Sequence, residues 1–305
     1  MNDQQTKFAN RLHTDFPDLD VVDIEIIGSG YHHVAMIVNG NLIFRMPKNN
    51  RTMDEIRSSV IFETSILKLL KDKLPVSVPD PQYIAPDGSY FGYPVLDGLL
   101  LKNIHTEQSE AQIDQLTIDW VDVAVAIHKA VPVEAAQDLH SPYFEALQPN
   151  GRDEIVESSK RIFTIPELDD RLLSFARQMI DMLETMDVDN QQVVFIHNDL
   201  QYANLLMDSA TKRLCGVIDW TDACIAPIAR EFATGQFMSK SRNTLENTIK
   251  LYEQKTGTTV DIMQAVMWRF LEEINDYVAQ VEAGEADEAK DTLGRLMGIV
   301  GNWSL

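Results

Sequence analysis

Short runs of β-branched and apolar residues open the chain and predict a small antiparallel sheet. Three such runs cover residues 22–27, 34–38 and 42–46, and their length and composition are typical of strands. An Asn-Gly pair at Asn39 and Gly40 separates the second run from the third, and this pair favours a tight hairpin turn. We therefore predict three antiparallel strands at the start of the chain.

A long helix is predicted next. Residues 53–70 place their apolar side chains close to the helical period, and Thr52 followed three residues later by Glu55 is the pattern of a capping box. A proline-rich stretch and a short extended run over residues 91–96 follow, and Gly98 then permits a change of direction. We place the boundary between two lobes there, with residues 1–96 in the N-terminal lobe and 97–305 in the C-terminal lobe.

The remainder of the chain has mainly helical periodicity. Apolar residues recur at three- and four-residue spacing in segments 107–130, 168–186, 245–251, 262–282 and 286–300. Two strand-like runs interrupt this pattern, at residues 193–196 and 214–218. The sequence thus predicts an α+β protein in which a small sheet and one long helix precede a larger, mainly helical lobe.

Composition narrows the classes of partner. The chain has 26 basic and 47 acidic residues and a formal net charge of -21, which disfavours binding to a nucleic-acid backbone. The excess of acid indicates either a cleft for a cationic ligand or a solvated surface. Apolar runs are far shorter than the roughly 18 residues of a membrane span, and Cys215 and Cys224 have no metal-binding or redox spacing. We expect a cytoplasmic protein, monomeric or dimeric, with no nucleic-acid or membrane partner.

The residues most suited to chemistry lie around the two late strand-like runs. His197, Asp199 and Asn204 follow the first run, and Asp219 follows the second. A loop between strands can direct Asp199 at a substrate hydroxyl while Asn204 and Asp219 hold Mg²⁺ against nucleotide phosphates. Phosphoryl transfer requires this combination of positioning and charge neutralisation. The spacing predicts a phosphotransferase site, and the alternative is a chance His-x-Asp in a surface loop.

This stretch resembles the aminoglycoside phosphotransferase family, which includes macrolide, choline and homoserine kinases and shares the protein-kinase fold. The family motif is His-Gly-Asp, four residues, Asn, and later Ile-Asp-Trp, and the chain has the same spacing from His197 to Asn204 and at Trp220. Residues 91–98 and 219–223 are similar to the corresponding phrases of aminoglycoside 2″- and macrolide 2′-phosphotransferases. The resemblance implies a protein-kinase-like bilobal fold.

The resemblance also implies roles for individual residues. Asp199 would accept or orient the proton of the attacking hydroxyl, His197 would brace the loop, and Asn204 and Asp219 would bind Mg²⁺. Arg45 stands where the family has a lysine or arginine for the phosphates. Glu63 would be its partner, although Glu55 competes for that pairing. The expected contacts to ATP or GTP are Gly28, Ser29, Gly30, Arg45, Glu63, Val95, Leu96 and Asp97.

Three positions depart from the family pattern. Asn198 replaces the glycine of His-Gly-Asp, and Pro227 and Glu231 each stand where many relatives have aspartate. Asparagine adopts left-handed backbone angles more readily than most residues, so the first change is compatible with the loop. The other two leave the usual support of the catalytic loop in question.

Acidic residues on the late helix are candidates for binding the acceptor. Glu272 and Asp276 are i, i+4 neighbours, Glu273 adjoins them, and Asp222 follows the Ile-Asp-Trp motif. These carboxylates would suit the ammonium groups of an aminoglycoside, whereas an ordinary solvated helix face is the alternative, and a macrolide would need a more apolar cleft. The hypothesis is a kinase that transfers the γ-phosphate of ATP or GTP to a hydroxyl of a small-molecule antibiotic. A kinase of choline, homoserine or a sugar and a non-catalytic nucleotide-binding pseudokinase are the alternatives.

Overall fold

The N-terminal part of the chain is an antiparallel sheet with two helices. The computed structural model describes residues 3–29, 33–48, 52–104, 108–137, 139, 149–187, 190–233 and 242–303. The elements of this first part are α1 (Asp3–Asp15), β1 (Ile24–Ser29), β2 (His33–Val38), β3 (Leu42–Pro47), α2 (Met53–Leu70), β4 (Tyr83–Ile84) and β5 (Phe91–Pro94). The five strands are ordered β1-β2-β3-β5-β4. The three predicted strands are confirmed, whereas α1 and β4 are elements that the sequence analysis does not predict.

The hairpin between β2 and β3 has the predicted tight turn. Asn39 and Gly40 both have positive φ, at 54° and 70°, as a type I′ turn requires. The side-chain oxygen of Asn39 also accepts hydrogen bonds from the main-chain nitrogens of Val22 and Asp23. Asparagine at this position therefore both forms the turn and attaches the segment that leads into β1.

Aromatic residues fill the space between α1 and the sheet. Phe44 on β3 is fully buried, and its ring lies 5.8 Å from that of Phe8 on α1 and 5.6 Å from that of Tyr83. Gly92 on β5 pairs with Phe44 across the sheet, and a Cβ at Gly92 would lie 2.4 Å from the Phe44 ring. The close approach of this ring explains why β5 has a glycine at this position.

Helix α2 matches the predicted range and begins with the predicted capping box. The Thr52 hydroxyl accepts a hydrogen bond from the Glu55 main chain, and the Glu55 carboxylate accepts one from the Thr52 main chain. This pattern gives acceptors to two main-chain N–H groups at the start of the helix that have no partner within the helix. Glu55 is thereby committed to the helix end, while Glu63 lies in the buried face of α2.

The C-terminal part is mainly helical and contains two small sheets. Its helices are α3 (Glu110–Ala130), α4 (Val133–Gln137), α5 (Pro149–Lys160), α6 (Asp170–Glu184), α7 (Ile228–Glu231), α8 (Arg242–Thr256), α9 (Ile262–Ala283) and α10 (Ala286–Trp303). Its strands are β6 (Leu99–Leu100), β7 (Val193–Ile196), β8 (Leu205–Met207), β9 (Leu214–Val217) and β10 (Cys224–Pro227). The α+β class is confirmed. In the part of the chain that the structure describes, no helix has the length and apolar character to cross a membrane.

The strands around the predicted catalytic loop are arranged less simply than the sequence indicates. Strands β7 and β9 are both present, but β7 pairs with β10, and β9 pairs with β8. The two partner strands are short and come directly after polar loops, so their sequence signal is weak. The 197–204 segment therefore connects one small sheet to the other, and residues 218–223 make the return connection.

Candidate active site

The carboxylate of Asp199 is held in the loop between β7 and β8. Nδ2 of Asn204 donates to Asp199 Oδ2 at 2.6 Å and to the Asp199 carbonyl at 2.9 Å. Nε2 of Gln201 donates to the other carboxylate oxygen at 2.6 Å. Both oxygens thus have a donor within the same loop, which fixes the orientation of the group before any ligand binds.

His197 braces the loop from within, as expected. It is fully buried, its Nε2 donates to the carbonyl of Ile218 at 3.1 Å, and its Nδ1 accepts from the Asp199 main chain at 3.2 Å. One ring nitrogen donates and the other accepts, so the ring is neutral with its proton on Nε2. Burial lowers the pKa of His197 and favours this neutral form.

Glu231 itself supports the catalytic loop, whose support was in question because Pro227 and Glu231 depart from the family pattern. The side chain is fully buried and accepts hydrogen bonds from the main-chain nitrogens of His197 and Asn198, at 2.9 and 3.1 Å. Pro227 ends β10 and precedes α7, which carries Glu231. Asn198 has a φ of 64°, which confirms that asparagine accommodates the left-handed backbone here.

Arg45 connects the N-terminal sheet to the Ile-Asp-Trp motif. One guanidinium nitrogen donates to Glu63 at 2.8 Å, and another donates to Asp219 at 2.6 Å and to the Thr221 hydroxyl at 2.8 Å. The pairing of Arg45 with Glu63 rather than with Glu55 is therefore confirmed. A forked guanidinium can bridge two carboxylates in this way, whereas a lysine would present a single point charge.

The charges of this cluster are set by burial and by Arg45. Partial burial would raise the pKa of Asp219, but the charge and hydrogen bond of Arg45 outweigh it and lower this pKa to about 2. Burial raises the pKa of Glu63 to about 7, against the opposing charge of Arg45. Burial also raises the pKa of Asp199 well above its usual range, and the negative charges of Asp222 and Asp219 add to this. Asp199 is therefore more basic than an ordinary aspartate.

One cleft of about 660 Å³ brings these groups together. Asp199, Asp219 and Arg45 line it together with Asp222 and Asp276, although Asp276 lies on α9, far along the chain. The apolar part of its wall comes mainly from the N-terminal sheet, with Ile27, Ala35, Ile43 and Tyr93, and is completed by Ile218 and Ala279. The cleft thus combines an apolar surface from the N-terminal sheet with a concentration of carboxylates.

The predicted acceptor residues on α9 lie in different environments. Asp276 lines the cleft, and burial raises its pKa. Glu273 is buried and forms ion pairs with Arg269 and Arg295, so the structure gives it an internal stabilising role in place of the expected acceptor contact. Glu272 does not line the cleft, and burial raises its pKa to about 7.

The predicted nucleotide contacts outside the cluster lie at the end of β1 and in the connection between β5 and β6. Gly28 and Ser29 end β1 and pair with β2, while Gly30 lies outside the described residues. The segment from Val95 to Asp97 connects β5 to β6, and the Val95 nitrogen donates to the Asn41 carbonyl. These hinge residues do not line the cleft as described.

The donor atoms of Asn204 and Asp219 fit Mg²⁺. Asn204 uses its amide nitrogen on Asp199, so its oxygen is the donor atom that remains for a cation. The Asp219 side chain is 44% exposed. Among the described residues no group of three or more His, Cys, Asp and Glu side chains forms a metal cage. Mg²⁺ bound with nucleotide phosphates commonly uses only one or two protein carboxylates, so the pair suits such an ion.

Sequence reasoning assigns no role to His33, Gln201 or Thr221. His33 lies with its Nδ1 3.4 Å from a guanidinium nitrogen of Arg45 and lines the cleft. Thr221 and Gln201 fall inside the motif phrases, and their proximity to Asp219 and Asp199 along the chain was an available signal. His33 is far from both motifs in sequence, so only the pairing of β2 with β3 reveals its place.

Comparison with known proteins agrees with this geometry. A model of the phosphotransferase enzyme family (APH) matches residues 23–265. A probable choline kinase 2 from Arabidopsis thaliana is 37% identical over 75 residues, which are 24% of this chain and only 21% of that protein.

Two solved structures resemble nearly the whole chain. The GDP complex of aminoglycoside 2′-phosphotransferase-IIIa has a TM-score of 0.79 at 21% identity, over 98% of this chain and 99% of the other. Macrolide 2′-phosphotransferase type I has a TM-score of 0.69 at 19% identity, over 97% and 98%. At these identities the structures show a shared kinase-like fold. Because the family model covers most of the sequence, the chain belongs to the phosphotransferase enzyme family.

Proposed function

We propose that this protein transfers the γ-phosphate of ATP or GTP to a hydroxyl group of a cationic antibiotic, an aminoglycoside or a macrolide. The observation that carries the proposal is the shared cleft, in which Asp199, Asp219 and Arg45 lie together with the further carboxylates of Asp222 and Asp276. The first three residues suit phosphoryl transfer. The last two suit an acceptor that carries ammonium groups.

In the proposed reaction the acceptor oxygen bonds to the γ-phosphorus and the bond to the bridging oxygen of the nucleotide breaks. Asp199 orients the hydroxyl and receives its proton, which its raised pKa favours. Arg45 on β3 would bind the phosphates, and Glu63 and Asp219 hold its guanidinium in place. Mg²⁺ at Asn204 and Asp219 would neutralise the phosphate oxygens. Gly28, Ser29 and the hinge from Val95 to Asp97 remain the proposed contacts to the nucleotide.

A metabolite kinase is the second candidate. It is favoured by the 75-residue similarity to a probable choline kinase, and choline is itself a cation that an acidic cleft would accept. The antibiotic proposal is supported by the shared fold, over nearly the whole chain, with the aminoglycoside and macrolide phosphotransferases. The two candidates differ in the molecule that receives the phosphate, so the experiment must identify this acceptor.

Nucleotide consumption should be measured with ATP and with GTP across kanamycin- and gentamicin-like aminoglycosides, macrolides, choline, homoserine and simple sugars. We expect turnover with at least one antibiotic, and Asp199→Asn should lower kcat about a hundredfold or more, since general-base catalysis contributes about 10²–10⁴. Nucleotide binding should survive in this variant. Turnover of a metabolite alone would replace the antibiotic proposal, and nucleotide binding without any turnover would indicate a pseudokinase.

A further inference from the structure

A buried arginine, Arg230 on α7, contacts the catalytic loop beside its reactive carboxylate. Arg230 is 2% exposed, and its Nε donates to the side-chain oxygen of Asn198 at 2.8 Å. Asn198 directly precedes Asp199. The arginine therefore acts on the loop one residue before the proposed base, although it does not line the cleft.

The backbone at Asn198 explains why such a contact matters. Its φ of 64° is a conformation that residues with a Cβ adopt at a cost, and a wrong conformation there would redirect Asp199. Glu231 already binds the main-chain nitrogens of His197 and Asn198. Arg230 binds a different atom, the side-chain oxygen of Asn198, so the two neighbouring residues hold different groups of the loop.

The same guanidinium also contacts the helix that carries the candidate acceptor carboxylate. It lies 4.7 Å from the centre of the Trp268 ring on α9, a distance typical of a cation–π interaction. Trp268, Glu272 and Asp276 recur every four residues and share one side of α9. Arg230 thus joins the loop that holds Asp199 to the helix whose Asp276 also lines the cleft.

We propose that Arg230 is a positioning residue for phosphoryl transfer. It holds Asn198 in its left-handed conformation and anchors it on α9, which keeps the Asp199 carboxylate at a fixed place relative to the acceptor side of the cleft. Part of this inference rests on the proposed function, since its kinetic consequence requires turnover. Its structural consequence, an ordered 197–204 loop, does not require turnover.

The test compares Arg230→Gln with a matched control, Arg213→Gln. Arg213, next to β9, pairs with the buried Asp119 on α3, so the control removes a hydrogen-bonded arginine without touching the loop. We expect Arg230→Gln to lower kcat about tenfold to a hundredfold, because small misplacements of reacting groups have effects of that size. The KM for nucleotide should stay unchanged. Hydrogen exchange of the 197–204 amides should become faster. Arg213→Gln should change neither kcat nor this exchange rate.

A second comparison identifies Asn198 as the route of the effect. In an Asn198→Gly background, glycine accepts the backbone conformation but removes the hydrogen-bond acceptor, so Arg230→Gln should add little further loss. If Arg230→Gln does not fold, Arg230→Lys is measured in its place, and its kcat should also fall, but by a smaller factor. Losses that multiply fully in the double variant would overturn the proposal, as would loop exchange equal to that of the control. Absence of turnover in the unaltered protein would count against the proposed function alone, since the exchange measurement would still decide the role of Arg230.

Discussion

Glu231 offers the sharpest test of how the catalytic loop is supported. Its carboxylate is fully buried and accepts from two main-chain nitrogens, those of His197 and Asn198. His128 also lies with its Nε2 3.3 Å from this carboxylate. Replacement by alanine would leave both main-chain donors without this acceptor, in a place from which solvent is excluded.

The expected loss of stability follows from these contacts. A hydrogen bond to a charged group contributes about 1.5–3 kcal/mol, and a buried donor left unsatisfied costs about 1–3 kcal/mol. Two donors lose their acceptor, so we expect Glu231→Ala to lower the free energy of unfolding by about 3–5 kcal/mol. Glu231→Gln keeps one acceptor oxygen and should cost about half as much. Many family members have aspartate at this position, so Glu231→Asp should be the mildest change.

Urea unfolding of the three variants at one pH measures these losses, and kcat measured on the folded protein shows how far the loop has moved. The order of stability should be Glu231, then aspartate, glutamine and alanine, and kcat should fall in the same order. A free energy of unfolding for Glu231→Ala within about 1 kcal/mol of the unaltered protein would refute the reasoning, since that is the range of a solvent-exposed pair.

Three further predictions concern charge and packing. Asp222→Asn removes a negative charge that raises the pKa of Asp199, so the acid limb of the pH profile of kcat/KM should move to lower pH, whereas Asp114→Asn on the exposed surface of α3 should leave it in place. Burial raises the pKa of Glu272 from 4.5 to about 7, so the stability that this group contributes is present below pH 4.5 and is lost as pH rises through 7. In urea unfolding, the free energy of unfolding of Glu272→Gln should exceed that of the unaltered protein by about 1–3 kcal/mol at pH 8 and equal it near pH 4.5. Equal stability of the two proteins at both pH values would contradict this. Gly92→Ala places a Cβ 2.4 Å from the Phe44 ring and should lower the free energy of unfolding by about 1–3 kcal/mol. Gly294→Ala in α10, which has open space around it, should be neutral or stabilising. If Gly92→Ala causes no loss of stability, the Phe44 ring can move.

Much of the fold could be predicted because its signals are local. The Asn39 and Gly40 turn, the capping box at Thr52 and Glu55, and the helical period of α2 each depend on neighbours a few residues apart. Strands β8 and β10 could not be predicted in the same way. Their residues acquire strand partners when distant segments meet, as when β10 pairs with β7 and β8 with β6.

The sequence by itself determined the reaction class, because Asp199 and its partner Asn204 belong to one short loop whose spacing is visible in the chain. Tertiary structure decided how that loop is supported and which acids face the acceptor. Arg45 reaches Asp219 across 174 positions of sequence, and Glu231 replaces the expected aspartate by binding the loop backbone directly. Periodicity places Asp276 on a face of α9, but only the packing of that helix decides that Asp276 lines the cleft while Glu273, three residues earlier, forms ion pairs with arginines.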